Sequence, residues 1–388
     1  MSILGLRAVV IGAGIGGLAV ARALALRGAD VTLLEQAPEI TEVGAGLQIS
    51  PNGMAVLRAL GLEQALVAAS VQARAVCLHD HHGAPVVRLD LTRLPDNAYH
   101  FVHRADLIDL LADGAREAGV RIRLLQRVTS VDGGAQPVVH IANGTTLCAD
   151  LVVGADGLHS VLRPALNQTD APFFTGQVAW RAVVPNREGR GPEAWVHMGP
   201  GRHVVSYPLR DGTALNIVAV QERKLWAAEG WTQTDDPANL CAAFADFGPP
   251  VRDMLARVTD ARLWGLFRHP VARVWHRDHL ALLGDAAHPT LPFLAQGASM
   301  ALEDAWVLAD ELARSDSIGA GLAAYQARRE TRVRRVIAAA NGNAWKYHIR
   351  PAPLRFAAHA VMRLGGTLAP DRMMRQFDWL YTHDVTAH

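Results

Sequence analysis

The sequence predicts an α/β chain. A Rossmann-like βαβ unit with additional strands is assembled from separated segments, a mainly antiparallel β-sheet module is inserted between them, and helices close the C-terminal end. Three observations predict this. An apolar run, Val9-Val10-Ile11, enters the turn Gly12-Ala13-Gly14-Ile15-Gly16-Gly17, then a helix-like stretch, then a second apolar run ending at Glu35. Between about 173 and 275 the texture changes to recurring strand-like runs with Gly- and Pro-containing turns. After one more buried strand over 280–284, the chain beyond Ala298 reads as mostly helical.

Each part of the first segment has a job if a dinucleotide sits there. Gly12 permits the tight strand-to-helix turn, Gly14 leaves room for a pyrophosphate, and Gly17 lets the helix pack close to the strand. The helix N-terminus presents free N–H groups and a positive dipole end to phosphates. Glu35 lies about 20 residues on, where a carboxylate accepts hydrogen bonds from a ribose diol.

Bulk properties narrow the class. At 388 residues the chain is long for one core and suggests about two domains. Half the residues are hydrophobic and 19% are charged, a globular composition. A net charge of +1 gives no support to nucleic acid or an anionic membrane as partner. Cys77, Cys148 and Cys241 are widely spaced and read as free thiols in a reducing compartment. No signal-peptide pattern precedes the first strand and no apolar stretch reaches membrane-spanning length, so a cytoplasmic location is expected.

Along the chain, residues 6–11 and 30–35 read as buried strands flanking a helix over 15–27, and a helix over 53–60 ends at Gly61. Runs at 74–78 and 85–91 alternate around His79-Asp80-His81-His82-Gly83, a hairpin with a polar turn. Residues 104–118 form an amphipathic helix. Strands near 121–125, 128–132, 137–141 and 150–153 are expected to return the chain to the first sheet. In the inserted module, strands are expected at 178–184, 193–198, 202–208 and 214–220. Two further segments repeat one logic. Leu151-Val152-Val153-Gly154-Ala155-Asp156-Gly157 and Leu280-Ala281-Leu282-Leu283-Gly284-Asp285 each run an apolar strand into a carboxylate at its carboxyl end, where open α/β sheets place ligands.

With these residues on the page, the chain resembles the single-component flavin-dependent aromatic hydroxylases, the type similar to para-hydroxybenzoate hydroxylase. The resemblance rests on the glycine-rich segment at 12–17, the Asp-Gly segment at 154–157 and the Gly-Asp segment at 284–289, and covers essentially the whole chain. Three segments point to the salicylate, 3-hydroxybenzoate and 6-hydroxynicotinate hydroxylase branch. They are Gly44 to Asn52, His103-Arg104-Ala105-Asp106-Leu107, and Gln296 to Ala305. Where some relatives carry a histidine this chain has Leu47-Gln48, which argues against 6-hydroxynicotinate itself.

The resemblance implies bound FAD and transient NADH or NADPH. Asp285 would bond the ribityl chain, Arg104 would reach the flavin side chain or its phosphate, and Asp156 and Gly157 would lie near the pyrophosphates. The N–H groups near Gly297 and Ala298 would face flavin N1 and O2, where a helix N-terminus stabilises the reduced anion. The implied reaction is hydroxylation of a small phenolic aromatic carboxylate through a C4a-hydroperoxyflavin, of salicylate or hydroxybenzoate type, with or without decarboxylation. The cofactor supplies the oxygen chemistry, while the protein excludes water and deprotonates the phenol. The implied division is 1–75, 101–172 and 276–340 for the FAD-binding domain, 76–100 for a substrate-side hairpin, 173–275 for the β-sheet substrate-binding domain, and 341–388 for a C-terminal helical segment. Partners are the aromatic substrate and O2, with the protein a monomer or homodimer.

On the strand Arg202 to Pro208, period-two geometry puts His203, Val205 and Tyr207 on one face. This resembles the substrate-facing strand of the 3-hydroxybenzoate and 6-hydroxynicotinate enzymes. It implies His203 as general base, suited by an imidazole pKa near neutrality, and Tyr207 as donor to a substrate oxygen. Leu47, Val205, Pro292, Phe293 and Leu294 are candidate apolar walls, and Arg181 beside Trp180 is a candidate carboxylate partner not fixed by a motif. The His79–His82 cluster reads as a solvated turn, with no metal site expected. Arg328 to Arg335 reads as a solvated helix face. The aromatic tail with Phe377, Trp379, Leu380 and Tyr381 is expected to pack over the nucleotide domain or a second subunit. Alternatives are a flavin monooxygenase acting on a larger polycyclic or antibiotic-like substrate, a nicotinamide dehydrogenase, and a non-catalytic flavoprotein.

Overall fold

The computed structural model describes residues 3–40, 45–167, 171–223 and 233–387. The chain builds two main sheets that meet across a cleft. The first has six strands in the order His276–Arg277, Leu280–Leu282, Leu151–Gly154, Arg7–Ile11, Asp30–Leu34, Arg121–Arg123. All neighbours are parallel except the short edge pair His276–Arg277 with Leu280–Leu282. Strands buried on both faces must be apolar throughout, and Val9, Val10, Leu33, Leu151, Val152, Val153, Ala281 and Leu282 are. The helix Ile15–Ala25 covers one face, with Leu18, Ala19, Val20 and Leu24 buried against the strands.

The second sheet has eight strands and begins at the hairpin Ala75–Asp80 and Pro85–Asp90. It continues through Glu193–Gly199, Arg202–Leu209, Ala214–Glu222, Phe173–Pro185, Ala261–Arg268 and Thr234–Asp235. Its members are antiparallel except Ala75–Asp80 beside Glu193–Gly199. Alternation gives it two apolar faces. Trp180, Val204, Ile217 and Ala219 pack on one side with Met254 of the helix Pro249–Leu255 and with Phe244 and Phe247 of the segment joining it to the helix Pro237–Ala243. The other side turns toward the first sheet.

One expectation fails. Strands at 128–132 and 137–141 do not join the first sheet. Val128–Asp132, Val138–Ile141 and Thr146–Cys148 form their own three-stranded antiparallel sheet. Short turns make neighbouring hairpin strands pair with each other, whereas joining a parallel sheet requires a long crossover. Only Arg121–Arg123 and Leu151–Gly154 continue the parallel sheet. The C-terminal half supplies the helices Gly297–Arg314, Ile318–Tyr347 and Ala352–Leu368. No helix among the described residues is long and apolar enough to cross a membrane.

Candidate active site

A cavity of about 710 Å3 is lined from both sheets and from the C-terminal helices. One end of it lies where three parallel strands finish. The Gly12 N–H donates to the Leu34 carbonyl at 2.8 Å, Ala155 N–H to Ile11 at 2.9 Å, and Leu283 N–H to Gly154 at 3.0 Å. The sequence-distant turns at Gly12, Ala155 and Gly284 therefore sit side by side, at the carboxyl edge where such sheets bind ligands.

Among the glycines, a Cβ on Gly12, whose φ is +100°, would lie 2.6 Å from the Ala155 carbonyl oxygen. One on Gly17 would lie 2.0 Å from the Gly12 carbonyl oxygen. One on Gly14 would meet no atom of the described residues within 4 Å, and Gly14 borders the cavity. So Gly12 and Gly17 shape the turn, while Gly14 leaves a space that the protein does not fill. The helix Ile15–Ala25 starts there with no side-chain cap and no acid in its first turn, so its orphan N–H groups face that space. The Glu35 carboxylate accepts from Ala13 N–H and Ala37 N–H, both at 2.8 Å, and each oxygen retains a lone pair.

The other residues expected to face a nucleotide also line the cavity. Arg104 opens the helix Arg104–Glu117, and burial lowers its pKa while the nearby Asp285 opposes that change. Asp285 lines the cavity, and desolvation there raises its pKa against the pull of His288 and Arg104. Asp156 Oδ2 accepts from Val161 N–H at 2.8 Å, and its Oδ1 is buried with no partner among the described residues. Gly157 adopts φ +71° beside it. Gly297 and Ala298 start the helix Gly297–Arg314, which also lacks a side-chain cap. An unfilled space at Gly14, two uncapped helix N-termini, a buried cation and an orphaned carboxylate oxygen fit a dinucleotide with anionic phosphates and hydroxyl donors.

The opposite wall is the second sheet. His203, Val205 and Tyr207 all line the cavity, as period-two alternation requires. Arg181, Val218 and Val205 are paired in register, so the guanidinium joins that same face. It lies 4.7 Å over the Trp264 ring, and burial lowers its pKa to about 10, so it stays cationic at neutral pH. Trp180, its chain neighbour, is buried on the opposite face, the alternation a strand imposes. Burial raises the Tyr207 pKa, keeping its hydroxyl a donor. The near-neutral imidazole expected at His203 is not what the structure gives: burial, reinforced by His348, holds its pKa well below the ordinary value. Leu47, Leu291, Pro292, Phe293, Leu294 and Trp264 supply apolar surface. Gly44 lies outside the described residues.

Two cluster expectations change. His79 is not solvated: it is 9% exposed and stacks on Trp195 at 4.6 Å between ring centroids. Arg328 to Arg335 is not simply a solvated face. Arg329 is fully buried between Glu303 (2.5 Å) and Asp304 (2.7 Å), and Arg332 reaches Glu303 at 2.8 Å. Helical spacing turns 329, 332, 333 and 336 inward, and the positive charges are admitted because two buried carboxylates wait there. The carboxylates brace the site. Asp304 accepts from Gly284 N–H at 3.1 Å and pairs with His288 at 2.5 Å. Asn52 donates to Glu303 at 2.6 Å and to Gln296 at 3.1 Å. The aromatic tail packs on this chain: Arg332 donates to the Trp379 and Leu380 carbonyls, and Phe377 and Tyr381 line the cavity.

A family model described as FAD binding domain matches residues 6–340. The chain is 36% identical over 362 residues to a 3-amino-4-hydroxybenzoate 2-monooxygenase of Streptomyces cremeus, covering 90% of this chain and 89% of that protein. It is 32% identical over 394 residues to a 3-hydroxybenzoate 6-hydroxylase of Klebsiella oxytoca, covering 97% and 96%. Its structure is similar to that of Klebsiella pneumoniae HpxO complexed with FAD and uric acid, with TM-score 0.85, 27% identity, and coverage of 96% and 95%.

Proposed function

The chain belongs to the FAD-binding family of flavin-dependent aromatic hydroxylases, and from that premise we propose that it is the NAD(P)H- and O2-consuming hydroxylase of a small phenolic aromatic carboxylate. The carrying observation is one cation, one imidazole and one phenol on a single sheet face: Arg181, His203 and Tyr207, among apolar walls. The curated relatives named above act on hydroxylated benzoates, which supports the same class.

In this reading Gly12 to Gly17, Glu35, Arg104, Asp156, Gly157, Asp285, Gly297 and Ala298 hold FAD. When bound, FAD supplies the acceptance of hydride from NAD(P)H and the activation of O2. The protein does the rest. Arg181 pairs with the substrate carboxylate, and Tyr207 donates to a substrate oxygen. His203 takes the phenol proton, which raises electron density on the ring. Phe293, Leu294, Val205 and Trp264 keep water from the reacting centre.

The test is oxidation of NADH and NADPH across a panel of hydroxybenzoates, carboxylate-free phenols and polycyclic phenols, with product and peroxide both quantified. At least one hydroxybenzoate is expected to stimulate oxidation tenfold or more and to yield hydroxylated product. Stimulation only by carboxylate-free or polycyclic phenols overturns the substrate class. Arg181→Met is expected to raise KM for the carboxylate substrate about 10- to 100-fold, the value of a charge-assisted hydrogen bond in a buried site. The same change is expected to leave KM for the matching phenol without a carboxylate within about threefold.

A further inference from the structure

We propose that His203, His348 and Glu222 form a proton wire that carries the phenol proton from the cavity to solvent. The proposal rests on the phenol-hydroxylase reading above. His203 Nδ1 lies 2.6 Å from His348 Nε2, and His348 Nδ1 lies 3.1 Å from Glu222 Oε1. Both rings are buried, at 3% exposure each. Glu222 is 31% exposed, and its other oxygen accepts from Arg350 Nε at 2.9 Å. The partners come from three places in the chain: the strand Arg202–Leu209, the strand Ala214–Glu222, and the residue that ends the helix Ile318–Tyr347.

The donor inventory sets the tautomers. An ionised carboxylate only accepts, so His348 carries its proton on Nδ1 and presents a lone pair at Nε2. That lone pair needs a donor, so His203 also carries its proton on Nδ1. The nitrogen left for a cavity ligand is then a bare Nε2, the form a general base requires. Facing these rings are Tyr347 and Phe293 around His203, and Glu222 and Arg350 beyond His348.

The wire answers a problem of burial. A lone imidazolium at His203 is costly with His348 beside it and, among the described residues, no carboxylate in contact. With the wire, the charge does not stay there. The phenol O–H breaks, its electron pair remains on oxygen, and an N–H forms at His203 Nε2. The His203 Nδ1 proton passes to His348 Nε2. The His348 Nδ1 proton passes to Glu222, which gives it to water. One proton leaves and no electrons are exchanged. A proton returning along the same path to the product phenolate restores both tautomers. Gly201 keeps the outer end clear. It sits at φ +70°, and a Cβ there would lie 2.7 Å from the Arg350 guanidinium and 3.2 Å from Glu222 Oε2.

His348 and Glu222 are positioning residues that act through His203. The test uses the full-length holoenzyme as wild type, His348→Phe and Glu222→Gln. Product formation is followed from pH 6 to 9 with a hydroxybenzoate and with a ring-fluorinated analogue already ionised at assay pH. For the ordinary phenol, both variants are expected to lose about 10²-fold in kcat at pH 7, with KM within about twofold. The loss is expected to shrink as pH rises and to nearly vanish with the pre-ionised analogue. Histidine 15N spectra of the resting wild type are expected to report Nδ1–H tautomers at both rings. An equal loss with both substrates, no loss at all, or an Nε2–H tautomer at His203 overturns the wire while leaving the hydroxylase reading intact. A wild type that hydroxylates no phenolic acid overturns both.

Discussion

Gly14→Ala is expected to yield an apoprotein whose stability is within about 1 kcal/mol of wild type and which loses FAD affinity tenfold or more. The backbone there has φ −74°, open to any residue, and the added methyl meets no atom of the described residues within 4 Å. Folding therefore has little reason to notice the change. The methyl does occupy the space between the uncapped helix and the place where the cofactor phosphates would lie. Gly17→Ala is the control with the opposite signature. Its Cβ would lie 2.0 Å from the Gly12 carbonyl oxygen, a backbone atom that cannot swing away. Overpacking of this kind costs about 1–3 kcal/mol or more, so the apoprotein itself is expected to melt lower. The pair is read by thermal melts of apoprotein and by titration with FAD followed by flavin fluorescence. A Gly14→Ala protein that binds FAD as wild type does would remove the glycine turn from the cofactor site.

Arg329→Met is expected to destabilise the protein by about 3–5 kcal/mol, because it strands Asp304 and Glu303 in the core with fewer counter-charges. The same cluster predicts acid sensitivity. Burial pushes the Asp304 carboxyl up, but His288 and Arg329 together outweigh it and leave its pKa at about 2, against an ordinary 3.8. A carboxyl whose pKa is depressed on folding adds stability that is complete above its unfolded pKa. That stability is lost as pH falls through the folded pKa, here between about pH 4 and pH 2, and amounts to on the order of 2 kcal/mol. Asp304→Asn is expected to flatten the stability–pH curve across that window and to lower stability at neutral pH. Denaturant melts at stepped pH check both, and an unchanged slope below pH 4 would show that Asp304 does not hold its charge there. Because Asp304 also bonds Gly284 N–H and His288, these variants are expected to loosen the turn carrying Asp285.

Local signals made much of the site legible. Gly12, Gly14, Gly17 and Glu35 announce a phosphate-binding turn because tight turns and helix starts constrain residue type over a few positions. Asp156 and Asp285 follow the same logic at strand ends. His203, Val205 and Tyr207 share a face because a strand repeats every two residues. Arg181 obeyed the same rule, but only the register through Val218 put it beside them. The strands at 128–132 and 137–141 were legible as strands, and their sheet was not, since pairing depends on which edge is free.

The sequence by itself determined most of the elements, the glycine-rich turn and which residues of one strand share a face, all of which follow from sterics and periodicity within a few residues. Only the tertiary structure decided which charges are buried and who answers them. Arg329 looked like part of a solvated run until Glu303 and Asp304 came within hydrogen-bonding reach of it. His203 acquired its partner from 145 residues away, and Asn52 met Glu303 across 251. The physical reason is that a buried ion or polar group is tolerated only where a complementary partner sits a few ångströms off. That condition is set by the packing of distant segments and leaves no mark on the residues alongside it in the chain.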